Sequence, residues 1–88
     1  MSVTEKMTEK LKKAFAPINF ELIDDSESHR GHGGWRDGGE SHFRLRLTSA
    51  HFAGQGRVQR QRAVNKILAE ELAGPVHALE MDLRAPGE

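Results

Sequence analysis

The sequence predicts an α+β domain, a three-stranded sheet with helices packed on one face. Three observations predict it. Three stretches alternate apolar and polar residues with the period of a strand. The segments before the first stretch and between the second and third repeat apolar residues at helical spacing instead. The length of 88 residues allows a single small domain, taken here as residues 1–88.

Ser2-Val3-Thr4-Glu5 reads as a capping box, because a Ser hydroxyl and a Glu carboxylate three residues on can satisfy each other's free amides. Val3, Met7, Leu11, Ala14 and Phe15 then recur at helical spacing, and Pro17 stops that helix near Phe15 or Ala16. Ile18, Phe20 and Leu22 alternate with Asn19 and Glu21, which predicts a strand with one apolar face that ends at Asp24, Asp25 and Ser26. Ser28 to Glu40 holds five of the nine glycines, a density no packed element tolerates, so residues 28–40 are expected to form a mobile Gly/His-rich loop.

His42 to Thr48 is the clearest strand, with Phe43, Leu45 and Leu47 on one face and His42, Arg44 and Arg46 on the other. A turn with one short helical stretch around Ala50-His51-Phe52 follows, and Gly54 and Gly56 break it. A long helix is expected from about Arg57 to Ala73, with Val64, Ile67, Leu68 and Leu72 as its apolar stripe and Arg60, Arg62 and Lys66 off it. Gly74-Pro75 stops it. Val76 to Leu83 forms the last strand, with Leu79, Met81 and Leu83 inward, and Ala85-Pro86-Gly87-Glu88 is expected to fray. The first two strands pair antiparallel and the third joins through a helical crossover. Phe43, Leu45, Leu47, Leu68, Leu72, Leu79 and Met81 are the expected core.

With 36% hydrophobic and 30% charged residues the chain suits a folded domain with a modest core rather than a disordered tail. Absence of cysteine excludes a thiol nucleophile, a cysteine zinc site and any iron–sulfur cluster held by this chain's own thiolates, and it fits a reducing compartment. No apolar run is long enough to span a bilayer, and Met1 to Lys13 is charged throughout, unlike a secretory signal. A cytoplasmic protein with no membrane partner is therefore expected. Thirteen basic and thirteen acidic residues cancel, so net charge gives no pull toward nucleic acid. Local charge differs: from Ser41 to Ala69 there is no acidic residue, while Arg44, Arg46, Arg57, Arg60, Arg62 and Lys66 all fall there. This is either a solvated face or a site for a phosphate or an acidic partner.

No nucleophile–base grouping argues an enzyme. Gly31-His32-Gly33-Gly34 contains a Gly-x-x-Gly, but between two strands, whereas the nucleic-acid clamp built on that tetrapeptide joins two helices. Of the histidines, His29 and His32 form a His-x-x-His in the glycine-rich loop, which is either a polar loop or a pair of metal donors. His77 begins the last strand, in phase with Leu79, Met81 and Leu83. It is either a partly buried strand-end histidine or a side chain able to reach a surface groove. His42 and His51 are expected to face solvent. Trp35 in the loop is a candidate contact residue.

Several motifs agree with one family in order and spacing. Glu40-Ser41-His42-Phe43-Arg44-Leu45 resembles the "ESHF" second strand of BolA-like proteins. Phe52-x-Gly54 followed by Arg60-Gln61-Arg62-x-Val64 resembles that family's F-x-G … R-H-R-x-V signature, with Gln61 in place of the usual histidine. Leu68-Ala69-Glu70-Glu71-Leu72, then Val76-His77-Ala78-Leu79, resembles its L-x-E-E-L … V/I-H-A-L ending. The resemblance runs from about Met7 to Pro86. It implies a KH-like fold without the Gly-x-x-Gly clamp, in the order α-β-β-α-α-β. It implies a monomer that forms a heterodimer with a monothiol glutaredoxin in iron–sulfur assembly, trafficking or sensing. A 2Fe–2S cluster would be shared: a glutaredoxin cysteine and glutathione on one side, His77 and His32 (with His29 as the alternative) on the other. Histidine can replace cysteine on one iron of such a cluster, and its competition with protons should make the cluster acid-labile. The family's competing function is DNA-binding transcriptional regulation, for which Arg57, Arg60, Arg62 and Lys66 are the candidate contacts.

Overall fold

In the computed structural model, residues 2–25 and 41–88 are described. Loop residues 28–40, with His29, His32 and Trp35, lie outside them. Helix α1 spans Val3–Phe15. Its capping box forms as the sequence requires: the Glu5 amide donates to the Ser2 hydroxyl at 3.1 Å and the Ser2 amide to the Glu5 carboxylate at 3.3 Å. It ends at Ala16, whose left-handed φ of 43° precedes Pro17. Strand β1 (Asn19–Asp24) and strand β2 (His42–Thr48) pair antiparallel, and strand β3 (Ala78–Arg84) pairs parallel to β2, giving the order β1-β2-β3. Between β2 and β3 lie a 3-10 turn at Ala50–Phe52, helix α2 (Arg57–Ile67) and helix α3 (Ala69–Ala73). The α+β order expected from the sequence is therefore the observed one.

Met7, Leu11 and Phe15 of α1 pack on Phe43, Leu45 and Leu47 of β2, together with Val64 and Leu68. Those residues are buried, while Leu72, Leu79 and Met81 are partly buried against them. Alternation thus assigned the inner face correctly. The opposite sheet face carries charge pairs: Arg44 with Asp25 and Glu80 (each 3.2 Å) and Arg46 with Glu21 (3.9 Å) between neighbouring segments, and Arg84 with Asp82 (2.9 Å) within β3.

Four sequence expectations need correction. The long helix of 57–73 is two helices that meet at Leu68, whose backbone (φ −100°, ψ 20°) leaves the helical region with no glycine or proline to announce it. Ile18 does not extend the apolar face of β1; it precedes the strand and stays 62% exposed. The last strand begins at Ala78 rather than Val76, because the Val76 amide donates to the Glu71 carbonyl (2.9 Å) and the His77 amide to the Ser41 carbonyl (2.7 Å). The tail does not fray: Ala85 joins the core, and the Glu88 carboxylate pairs with the Arg60 guanidinium. Among the described residues no helix is long and apolar enough to cross a membrane.

Candidate functional site

Parallel pairing brings the first residues of β2 and β3 to one corner of the sheet, where His42 is in register with Ala78. The approach to β3 is fastened from below. Glu71 of α3 is buried and its carboxylate accepts from Lys10 of α1 at 2.8 and 3.0 Å, which ties the two helices together and holds the lysine's pKa above its ordinary value. The Glu71 carbonyl accepts from Gly74 and Val76. A Cβ on Gly74 would stand 3.3 Å from the Glu70 carbonyl, so a larger residue would push that turn away from the helix. Val76 is buried, and the Ser41 carbonyl receives both the His77 amide (2.7 Å) and the Ala78 amide (3.2 Å).

This anchoring leaves the His77 side chain exposed. The partly buried alternative is thereby excluded: in-phase spacing with Leu79 does not carry past the start of the strand. The His42 ring stands beside it, ring centres 6.1 Å apart and planes at 27°. His42 Nδ1 lies 3.0 Å from the hydroxyl of Ser41, a fully buried residue. Sequence reasoning placed His42 on the polar face correctly but missed this neighbour. Two imidazoles at one corner, on a chain without cysteine, are a donor set that suits iron, zinc or copper. They fit the demand of one iron in a histidine-ligated 2Fe–2S cluster. Among the described residues no group of three or more His, Cys, Asp or Glu could hold a metal ion, so further ligands must come from elsewhere.

The basic residues of α2 divide. Arg57, Arg62 and Lys66 are exposed. Arg60 is not: its side chain is 11% exposed, it donates to the Leu83 carbonyl (3.1 Å) and to Glu88 (Nη2 at 2.7 Å), and it lies over the Phe52 ring at 5.9 Å. The Arg60 hydrogen bonds, with a further one from the Ala85 amide, pull the Glu88 carboxyl down from an ordinary 4.5 to about 2, and the same pair holds Arg60 above its usual value. Along the outer edge of β3 run two adjoining grooves of about 560 and 520 Å³, both lined by Arg57, Gln61, Met81 and Asp82. Gln61, the departure from the family signature, thus stands in a groove wall.

The family model for BolA-like proteins matches residues 11–88. The whole chain is 48% identical to an uncharacterized protein in the cobS 5' region of a Sinorhizobium species, covering 96% of it. It is 40% identical to the DNA-binding transcriptional regulator BolA of Escherichia coli, over 92% of this chain and 73% of that protein. The solved structure of BolA1 from Arabidopsis thaliana superposes with a TM-score of 0.88 at 33% identity, over 100% of this chain and 96% of that one. The chain spans about half the length of the mammalian BolA-like proteins it also matches.

Proposed function

Because this chain belongs to the BolA-like protein family, we propose that it works as a non-enzymatic partner of a monothiol glutaredoxin in iron–sulfur handling, lending histidine ligands to a shared 2Fe–2S cluster. The observation that carries this is His77, exposed and fixed by its backbone at the open end of the β2–β3 pair beside a second imidazole. A cysteine-free chain can offer a cluster only nitrogen or oxygen donors. The partner's cysteine and glutathione would hold one iron and this chain's imidazoles the other. His32 is the loop ligand the family resemblance implies, with His29 as the alternative. A cytoplasmic setting suits the reading, since the partner thiolates must stay reduced. The test is the visible absorption spectrum of this chain co-purified with a monothiol glutaredoxin, against each protein alone. Cluster bands that differ from those of glutaredoxin alone are expected. A mixture whose spectrum is the sum of the separate proteins sinks the proposal.

A second reading, transcriptional regulation through DNA, is favoured by the name of the Escherichia coli relative and by the exposed Arg57, Arg62 and Lys66 of α2. The strand arginines lend it little, because each is paired with a neighbouring acid. If DNA is the target, Arg57→Ala and Arg62→Ala should each flatten the salt dependence of duplex binding by about one unit. If glutaredoxin is the target, they should weaken a salt-sensitive protein complex and leave duplex binding negligible.

A further inference from the structure

We propose that the outer edge of β3, beside α2, is a docking groove for a partner protein, which adds an extended segment as a fourth strand and sets a carboxylate against Arg57. His77 does not line this groove, so the interface is separate from the function proposed above.

Backbone accounting is the first support. β3 is an edge strand, paired only with β2. The Ala78 amide donates to the Ser41 carbonyl (3.2 Å) and the Arg84 carbonyl accepts from the Ser49 amide (2.9 Å). Ala78, Glu80, Asp82 and Arg84 therefore turn their backbone groups toward β2, and alternation turns those of Leu79, Met81 and Leu83 outward. Arg60 agrees with this phase: it donates to the Leu83 carbonyl (3.1 Å) and so closes one end of the edge. The amides of Leu79, Met81 and Leu83 and the carbonyls of Leu79 and Met81 have no partner among the described residues. Such a row is a template for another strand.

Shape is the second support. The two grooves along this edge share Arg57 and Gln61 of α2 on one side and Met81 of β3 on the other. A slot between a helix and an edge strand suits an extended peptide: main-chain hydrogen bonds supply affinity, and side chains that meet the helix supply specificity. From Leu79 to Leu83 the edge runs about 13 Å, room for a segment of roughly five residues.

Charge and composition choose the occupant. Glu88 is taken by Arg60 (2.7 Å) and Asp82 by Arg84 (2.9 Å), whereas Arg57 has no partner among the described residues. The free charge is thus a guanidinium, which calls for a carboxylate on the face of the segment that meets α2. Leu79, Met81 and Leu83, all partly buried against the core, call for apolar neighbours on that face. Single-stranded nucleic acid fits worse, because among the described residues no aromatic side chain lines the groove for a base to stack on, and Asp82 and Glu88 line it instead. A second copy fits worse as well. Antiparallel pairing of two β3 edges centred on Glu80, Met81 or Asp82 sets an acid opposite an acid each time.

The test titrates the full 15N-labelled chain with the capped heptapeptide Thr-Val-Thr-Asp-Thr-Val-Thr, whose Val and Asp side chains share one face. The amides of Leu79, Met81 and Leu83 should shift and exchange more slowly, and that of His77 should stay still. Of two peptides N-methylated at alternate residues, one on each edge, only one should bind. Arg57→Glu, at an exposed position, should weaken binding at least about threefold and turn the preference toward the peptide with Lys in place of Asp. No shift along β3 at about 1 mM peptide overturns the proposal, as do shifts confined to β1 or equal binding of both methylated peptides. Movement of the β3 amides with protein concentration alone would give the edge to a second copy. Tighter binding of oligothymidine than of the peptide would give it to nucleic acid.

Discussion

The two ends of the parallel β2–β3 pair are built differently. At the far end, where both strands finish, polar groups are spent on the fold. The Ser49 amide donates to the Arg84 carbonyl (2.9 Å), the Ser49 hydroxyl donates to the Phe15 carbonyl at the end of α1 (2.6 Å), and Arg60 grips Leu83 and Glu88. Phe52 fills the space beneath, against Phe15 at 5.1 Å between ring centres. At the near end, where both strands begin, the backbone, Val76 and the contact of Ser41 with the half-buried His42 ring serve the fold, and the His77 side chain is exposed. Both ends are fastened by backbone hydrogen bonds. They differ in whether side-chain chemistry is used up by the fold or left for a partner. Substitutions should therefore cost stability at the far end and function at the near end.

The largest loss of stability is expected at Phe52→Ala. A fully buried aromatic truncated to Ala leaves a cavity and costs about 3–5 kcal/mol, which for a domain of this size is a large part of the total. Urea unfolding checks it, and an unchanged midpoint would mean the far end is not packed as described. Ser49→Ala comes next. It strands the buried Phe15 carbonyl and removes the cap of the His51 amide, for about 1–3 kcal/mol. Ser49→Gly should recover none of it, since the loss lies in the hydroxyl.

Glu88→Gln tests the tail by its pH dependence. The Arg60 hydrogen bonds hold the folded carboxyl at about 2, while the unfolded chain titrates near 4.5. A carboxylate depressed on folding stabilises fully above the unfolded value and loses that contribution as pH falls through the folded one. The wild type should therefore exceed Glu88→Gln in stability at neutral pH, and the gap should close between about 4.5 and about 2. No gap at neutral pH would show that the tail is held without the Glu88 carboxylate.

The sequence made one end more legible than the other. Strand alternation identified Phe43, Leu45 and Leu47 because each strand reports its own two faces. It carries no information on register between β2 and β3, which are separated by two helices, so the meeting of His42 with His77 was beyond it. Arg60 was legible and misread. Extending the stripe of Val64, Ile67 and Leu68 back one turn lands on Arg60, which shares their inward face, whereas Arg57, Arg62 and Lys66 stay exposed. Ala85 sits beyond the last periodic run, and Val76 falls out of phase with Leu79, Met81 and Leu83, so alternation declared neither of them core. Leu68 hid the break between α2 and α3 because its side chain keeps the helical stripe while its backbone leaves the helix.

His77→Ala should have the smallest effect on stability and the largest on the proposed function. The ring is exposed, and the contacts that fix the segment are the amides of Val76, His77 and Ala78 and the buried Val76 side chain, all of which an alanine keeps. An exposed substitution of this kind shifts stability by no more than about 0.5 kcal/mol. Apo association with the glutaredoxin should persist, because protein contacts and metal ligation are separate contributions. The mixed cluster should be lost or decay much faster, since removing one of two imidazoles leaves one iron a ligand short. The measurement pairs a urea midpoint with the visible spectrum and cluster-loss rate of the reconstituted complex. Wild-type spectrum and lifetime in His77→Ala would make the near end as purely structural as the far one. A large drop in the urea midpoint would break the contrast from the other side, by showing that the His77 ring supports the fold.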